Sequence, residues 1–370
     1  MILNKINKII SKNILKISKI KTKPINRELH SFYVTIIFGF LLIGIFSVLP
    51  VIKNYTSKMI FNAKLIDNTS KIDFEKTLSG KEIEKDKKEN DGLALRNLFD
   101  DVFEIDSAPS DAVRLNAALI EQLFKDTGYN LNKVRKNKIV KPVSLSLLPG
   151  EIKNIRSTKK KKELFIQIVL PLILEENNLI KLDRKKLFVI LNKNNNSKRE
   201  IKWLNNKFKQ YGVVKKDLST LKIRMDIVPV SLAIAQAAKE TGWGTSRFAI
   251  EGNALFGQWT WSEEGIKPSA ASNDSSHKVM RFKILKASVR AYQRNLNTHP
   301  SYREFRRIRA EQRDREEKLN SLELVKFLDK YAATGKKYTE VIIKIIEQNS
   351  LTDFDDAYLL PKSKKIKNLI

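Results

Sequence analysis

Cysteine is absent from the 370-residue sequence, which excludes disulfides, cysteine-ligated metal sites and thiol chemistry. Histidine is nearly absent, because His30, His277 and His299 are its only copies, so we expect no histidine-rich metal site. We predict that the protein works without a metal or any other cofactor. The lack of cysteine says little about the compartment, because an exported protein can fold without disulfides.

Acidic side chains are also in deficit. The chain has 41 Asp and Glu against 70 Lys and Arg, which gives a net charge of +29. This charge is spread along the chain and rests mainly on lysine, a composition typical of proteins from AT-rich genomes. The alternative interpretations are a basic surface attracted to anionic wall or membrane polymers, and nucleic-acid binding.

One long stretch without charge lies near the N-terminus. Residues 32–52 are 21 uncharged residues, which is enough to span a hydrocarbon core of about 30 Å. Residues 1–31 before them carry eight basic side chains and one acidic one, which predicts a cytoplasmic tail. We predict a single uncleaved anchor in the inner membrane, with the chain from Lys53 onward in the periplasm. A cleaved signal peptide and a buried core helix are the alternatives.

The remaining chain divides by composition. An apolar run at 163–180 contains Pro171 and two adjacent acids, so it predicts a kinked core helix and not a second membrane span. A further helix is predicted over Asp183–Leu191. We expect a flexible linker at 53–90, a small stalk or packing region at 91–158, a helical lead-in at 159–224, a catalytic core at 225–350 and a tail at 351–370.

The chain is organised around residues 225–261. Ser231–Lys239 predicts a helix without breakers, and Gly242 and Gly244 end it. Glu240 lies at its C-terminal end, where the helix dipole and burial against Trp243 would both raise the pKa of its carboxyl. A carboxylic acid that keeps its proton near neutral pH is a general acid for cleaving glycosidic bonds. The alternative is a solvated or paired glutamate with no chemical role.

Polar amides and aromatic rings surround and follow this glutamate. A sugar offers hydroxyls at its edge and C–H groups on its face, so this mixture suits a glycan. The candidate substrate-binding residues are Trp243, Asn253, Phe256, Gln258 and Trp259.

Two segments carry a family resemblance. AAKETGWGTSRFAIEGNALFGQW resembles the signature of glucosaminidase domains of glycoside hydrolase family 73. Together with HKVMRFKILKASVRAYQRNLNTHPSYREFR, it resembles the Bax-like branch of that family in Gram-negative bacteria, over roughly residues 160–350. The resemblance implies a mainly α, lysozyme-like catalytic domain with a small β-region. It also implies hydrolysis of the peptidoglycan backbone after N-acetylglucosamine, with Glu240 in the general-acid position.

The resemblance implies further site residues. Tyr292 would line the catalytic cleft as a supporting residue, with Asn295 near it as a substrate-binding residue; a core tyrosine with a satisfied hydroxyl is the alternative. Lysozyme-like folds place a small β-region after the acid-bearing helix, so a second carboxylate is sought there. Glu263, Glu264 and Asp274 are the candidates, and Glu251 is closer in sequence.

A basic helix is predicted over Tyr302–Ala310. Arg303, Arg306, Arg307 and Arg309 would give it a basic surface that is either solvated or holds stem-peptide carboxylates.

The sequence leaves the reaction partly open. A second carboxylate could activate water, or attack directly, or the substrate's N-acetyl group could take part. A lytic transglycosylase, a muramidase and a non-catalytic wall-binding protein are the rival functions. We expect peptidoglycan glycan strands and the inner membrane as partners. We expect no nucleic acid, because the anchor would separate the folded part from it.

Overall fold

The computed structural model describes residues 98–106, 112–260, 265–267 and 278–361, with the backbone alone at 259–260. The predicted tail 1–31, anchor 32–52 and linker 53–90 lie outside these residues. Within the described part of the chain, no helix has the length and apolar character needed to cross a membrane.

The described chain is mainly helical, as predicted. A helical segment at 98–106 precedes the named helices. These are α1 Ala117–Asp126, α2 Leu131–Asn137, α3 Thr158–Leu191, α4 Lys198–Gln210, α5 Leu218–Arg224, α6 Val230–Thr241, α7 Arg247–Gly252, α8 Leu285–Thr298, α9 Arg303–Asp314, α10 Ser321–Val325 and α11 Lys336–Gln348. Short 3-10 turns lie at Gly150–Asn154, Pro300–Tyr302, Asp329–Tyr331 and Leu351–Phe354.

Strands are few and short. β1 (Ile139–Val140) pairs in parallel with β4 (Tyr358–Leu359). β2 (Trp259–Thr260) pairs antiparallel with β3 (Lys278–Val279), so the small β-region after α6 is present. These features are consistent with a lysozyme-like domain.

Helix α3 is a single helix of 34 residues with Pro171 inside it. The predicted core helix at 163–180 is confirmed, because nearly every side chain from Leu164 to Leu174 is buried. The helix predicted over Asp183–Leu191 is present and ends at Leu191, as the C-terminal part of α3. No glycine or proline lies between the two predicted segments, so nothing interrupts the backbone hydrogen bonds there.

Segments that were predicted to be separate regions pack into one core. Residues of the predicted stalk or packing region, among them Ile120, Phe124 and Val134, belong to the same buried core as α6. The tail predicted at 351–370 was wrong for its first residues. Leu351 and Phe354 are fully buried in that core, and β4 continues the chain along β1. Two apolar side chains in one 3-10 turn gain enough from burial to hold the segment in place.

The C-terminal segment also fixes the start of α6. Pro229 precedes the helix and offers no side-chain cap. The Asp355 carboxylate accepts hydrogen bonds from the Ser231 amide (2.8 Å) and from its hydroxyl (2.7 Å). This carboxylate therefore satisfies an N-terminal amide that the helix itself leaves unpaired.

Only two of the four arginines predicted to form a basic surface on α9 are exposed. Arg306 and Arg309 are buried, and Arg309 donates to the carbonyls of Ile223 and Ile227, at 3.0 Å each. Each of these two guanidinium groups donates hydrogen bonds to backbone carbonyls at the end of a neighbouring segment. Arg303 and Arg307 are exposed, and Arg307 forms ion pairs with Glu304 and Glu311.

Candidate active site

Glu240 lies in the last turn of α6. The helix ends at Gly242, whose φ of 57° is left-handed, and the next residue, Trp243, also has a positive φ of 62°. The Thr241 hydroxyl donates to the Ala237 carbonyl (2.6 Å) and accepts from the Gly244 amide (2.8 Å). These bonds hold the tight turn, so the carboxyl of Glu240 is presented by rigid backbone on both sides.

Two groups contact the Glu240 carboxyl closely. Gly257, in the loop after α7, has a φ of 60°, and a Cβ added to it would lie 3.0 Å from Oε2 of Glu240. The Tyr338 hydroxyl, from α11, donates to the carboxylate. Glu240 is half-buried between Gly257 and Tyr338, which lie 17 and 98 residues further along the chain.

Burial raises the pKa of the Glu240 carboxyl above its ordinary value of 4.5. The hydrogen bond from Tyr338 and the charge of Lys239 both lower the pKa, but desolvation is the larger effect. The direction agrees with the sequence-based expectation. The aromatic residue that hydrogen-bonds to Glu240 is Tyr338, whereas the expectation had placed Trp243 against it.

A chain of hydrogen bonds runs from α8 to Glu240. The Tyr292 hydroxyl donates to Oε1 of Gln236 (2.8 Å), and Nε2 of Gln236 donates to the Tyr338 hydroxyl (2.9 Å). The proton of Tyr338 is then directed to Glu240. Gln236 lies one turn before Glu240 on α6, so the same helix carries the middle of this chain and its end at Glu240.

Tyrosines line this part of the molecule. The Tyr331 ring stacks on Tyr338 with centroids 5.4 Å apart, and its hydroxyl donates to the Phe256 carbonyl (2.9 Å). Tyr302 lies 6.0 Å from Tyr331 and shares a side-chain hydrogen bond with Asn295. Burial raises the pKa of Tyr302 to about 12, with a smaller contribution from Glu240. These phenols therefore stay protonated and can act as hydrogen-bond donors at neutral pH.

Three predicted site residues build the wall of the site without reaching its surface. Tyr292 is fully buried and stacks on Phe256 with centroids 3.8 Å apart. It is therefore a core tyrosine, which was the alternative interpretation of this residue. Phe256 is 1% exposed and cannot stack on a sugar in this conformation. Asn253 is buried at a φ of 49°, where its Nδ2 donates to the carbonyls of Phe282 and Lys283.

Trp243, Gln258 and Asn295 keep partial exposure. Trp243 packs edge-on against Phe165, with centroids 5.9 Å apart, and the Lys162 ammonium lies 4.8 Å from its ring. Oε1 of Gln258 is buried and accepts no hydrogen bond from the described part of the chain. It is thus an acceptor near the site that a donor on a ligand could satisfy.

Most of the remaining candidate site residues lie wholly or partly outside the described residues. The backbone of Trp259 lies in β2, and its side chain is outside the described residues. Glu263, Glu264 and Asp274 are also outside them, so the second carboxylate stays a prediction. Glu251 is exposed on α7, with Nη1 of Arg247 3.8 Å from its carboxylate.

Sequence reasoning missed Tyr302, Tyr331 and Tyr338. Neither helical periodicity nor spacing joins them to Glu240, since they lie 62 to 98 residues away from it. One compositional signal was present. Four of the chain's nine tyrosines fall between residues 292 and 338.

Comparisons with known proteins identify the family of the chain. The family described as mannosyl-glycoprotein endo-beta-N-acetylglucosaminidase, or glucosaminidase, matches residues 215–351. Protein bax of Escherichia coli (strain K12) is 31% identical over 210 residues, which are 55% of this chain and 75% of that protein. This chain belongs to the glucosaminidase family. No solved structure matches it.

The glucosaminidase match includes Glu240, Gly257 and Tyr338. It stops before Asp355, which caps the helix that carries the glutamate. It also starts after α3, which packs on that helix. The glucosaminidase fold of this chain therefore needs residues on both sides of the matched range.

Proposed function

We propose that the protein hydrolyses the glycan backbone of peptidoglycan at the β-1,4 bond after N-acetylglucosamine, with Glu240 as the general acid. The observation that carries the proposal is the half-buried carboxyl of Glu240, with its raised pKa, held between Gly257 and the Tyr338 hydroxyl. Membership in the glucosaminidase family supports a glycan substrate.

In the proposed reaction the Glu240 proton passes to the glycosidic oxygen as the bond to the anomeric carbon breaks. Burial raises the pKa of the carboxyl, so a larger fraction stays protonated near neutral pH than for an exposed glutamate. As the proton leaves, negative charge develops on the carboxylate. The hydrogen bond with the Tyr338 hydroxyl, which lowers the pKa of the carboxyl, stabilises this charge.

The group on the opposite face of the sugar completes the reaction. A carboxylate among Glu263, Glu264 and Asp274 would activate water with inversion, or attack with retention. Participation by the substrate's own N-acetyl group would need neither step. The anomeric configuration of the first product, followed by NMR, distinguishes the inverting route from the two retaining routes. Single carboxylate-to-amide variants then distinguish direct attack by a carboxylate from participation by the N-acetyl group.

Glu240→Gln tests the assignment of the acid. The amide keeps the shape of the side chain but has no acidic proton to give, so we expect hydrolysis to fall by at least about a hundredfold while the fold is retained. Glu347→Gln is the matched control, because it removes an exposed glutamate near the C-terminal end of α11 and should leave the rate unchanged. A folded Glu240→Gln protein with full activity would remove Glu240 from the mechanism.

Digestion of purified sacculi by the full chain in a non-ionic detergent, followed by mass spectrometry, tests the bond specificity. N-acetylglucosamine at the new reducing ends is the expected result. N-acetylmuramic acid ends would indicate a muramidase, and anhydro-muramic ends a lytic transglycosylase. No released fragment from folded protein across a pH series would indicate a wall-binding protein.

We also propose that residues 32–52 anchor the protein in the inner membrane, with the hydrolase in the periplasm. The support is the length of the uncharged stretch and the basic residues before it. Carbonate extraction of membranes from cells that make the full chain, or the chain without residues 1–52, decides this point. Release of the full chain into the soluble fraction would contradict it.

A further inference from the structure

The start of α3 carries a dense group of positive charges. Residues 153–162 contain six basic residues and no acid, and Glu151 and Glu163 flank them. We name these six residues the basic strip: Lys153, Arg156, Lys159, Lys160, Lys161 and Lys162. The first four are exposed and the last two are half-buried, so the charge faces solvent.

The basic strip adjoins the candidate active site. Nζ of Lys162 lies 4.8 Å from the centroid of the Trp243 ring. Gly244 packs so tightly here that an added Cβ would lie 2.9 Å from Phe165 of α3 and 3.2 Å from Ile152. Trp243 follows Glu240 by three residues, so their Cα atoms are at most about 11 Å apart. Trp243 therefore connects the strip to the turn that follows the proposed acid.

The charge of the strip is not neutralised by the described part of the chain. None of its residues forms an ion pair there, and the first turn of α3 contains no acid. Lys162 donates to a neutral acceptor, Oδ1 of Asn349 (3.1 Å). Four consecutive lysines lie at the start of α3, and an anion that binds beside them lowers the electrostatic energy of their uncompensated charges.

We propose that the basic strip binds the carboxylates of the stem peptides carried by the glycan substrate. This inference rests on the proposed function. A stem peptide branches from the glycan beside the bond to be cleaved, and four extended residues reach about 14 Å. That reach exceeds the limit of about 11 Å between the Cα atoms of Glu240 and Trp243, the residue that Lys162 contacts. The attraction between lysines and carboxylates would hold the glycan at the cleft and is screened by salt.

The test compares two substrates and two charge variants of the full chain. The substrates are glycan strands with their stem peptides and the same strands after an amidase has removed the peptides. The strip variant is Lys159→Gln/Lys160→Gln/Lys161→Gln. The matched control is Lys198→Gln/Arg199→Gln/Lys202→Gln, which removes three exposed charges from the first turns of α4. Lys162 is left intact because it contacts Trp243.

For the wild type we expect a KM about fivefold lower on strands that carry peptides than on strands without them, which is the difference that three exposed ion pairs would give. This difference should disappear in the strip variant and persist in the control variant. It should also shrink as salt rises from about 0.05 to 0.3 M. A strip variant that keeps the full difference, or a wild type that cleaves both substrates equally well, would overturn the inference.

Failure of the proposed function is a separate outcome. If the wild type cleaves neither substrate, co-sedimentation of the same proteins with both kinds of sacculi still tests the strip. Binding that needs both the peptides and the strip would support the inference, and equal binding by all three proteins would overturn it. Strip-dependent binding to anionic phospholipid vesicles but not to sacculi would assign the strip to the membrane and overturn it as well.

Discussion

Replacing Gly257 by alanine tests how tightly the fold positions Glu240. The residue has a φ of 60°, and the new Cβ would lie 3.0 Å from Oε2 of Glu240 and 3.8 Å from its Cδ. Ordinary contacts between a methyl group and an oxygen are longer, so the carboxyl must move by a few tenths of an ångström. The variant thus combines backbone strain with a direct displacement of the proposed acid.

The two effects have different magnitudes. An L-residue in the left-handed region costs about 1–2 kcal/mol of stability. For a domain of this size, each kcal/mol lowers the melting temperature by about 2–4 °C. Displacing a catalytic group by about 1 Å costs roughly a hundredfold in rate, so a shift of a few tenths of an ångström should lower kcat by about four- to tenfold. We therefore expect a mildly destabilised protein with a much larger loss of activity.

Gly128→Ala separates strain from displacement. Gly128 has a φ of 64°, and an added Cβ would meet no atom within 4 Å. We expect the two variants to lose similar stability in thermal unfolding, while only Gly257→Ala loses kcat on soluble peptidoglycan fragments. Full activity in Gly257→Ala, or an equal activity loss in Gly128→Ala, would refute the proposed positioning of Glu240.

Three further predictions concern pH and stability. Tyr338→Phe removes a hydrogen bond that lowers the pKa of Glu240, so the fall of kcat/KM at high pH should move to higher pH; an unmoved profile would contradict this. Because the folded-state pKa of Glu240 is raised, its charge lowers stability as pH rises above the ordinary value of 4.5. Glu240→Gln should therefore unfold at a higher temperature than the wild type at pH 7, and the difference should vanish below about pH 4.5. Asp355→Ala should lower the free energy of unfolding by about 1–2 kcal/mol, because the Ser231 amide loses its acceptor; chemical denaturation measures this, and an unchanged midpoint would contradict it.

Local features of the fold followed from the sequence. The helix before Glu240, its glycine end and the buried helix around Pro171 depend on residues within a few turns of each other, and the structure contains all three. The glycine that opposes the carboxyl was visible as part of the NALFG segment. Its contact with Glu240 was not, because nothing local relates a loop to the helix on which it packs.

Other assignments failed because residue type does not report burial. Phe256 and Asn253 have the chemistry of sugar-binding residues, yet one stacks in the core and the other ties two backbone segments together. Arg309 was predicted on a basic surface, but inside the protein backbone carbonyls around α5 accept its hydrogen bonds and the buried Asp226 carboxylate offsets its charge. Which polar side chain finds such partners depends on segments that approach it only after folding.

The sequence by itself determined that a glutamate ends an alanine-rich helix and is followed by a glycine turn, because capping and helical periodicity act over one or two turns. The tertiary structure alone decided what surrounds that glutamate. Gln236 meets Tyr338 across 102 residues, and Ser231 meets Asp355 across 124. The raised pKa of Glu240 arises from burial, and burial is a property of the packed helices and not of any segment.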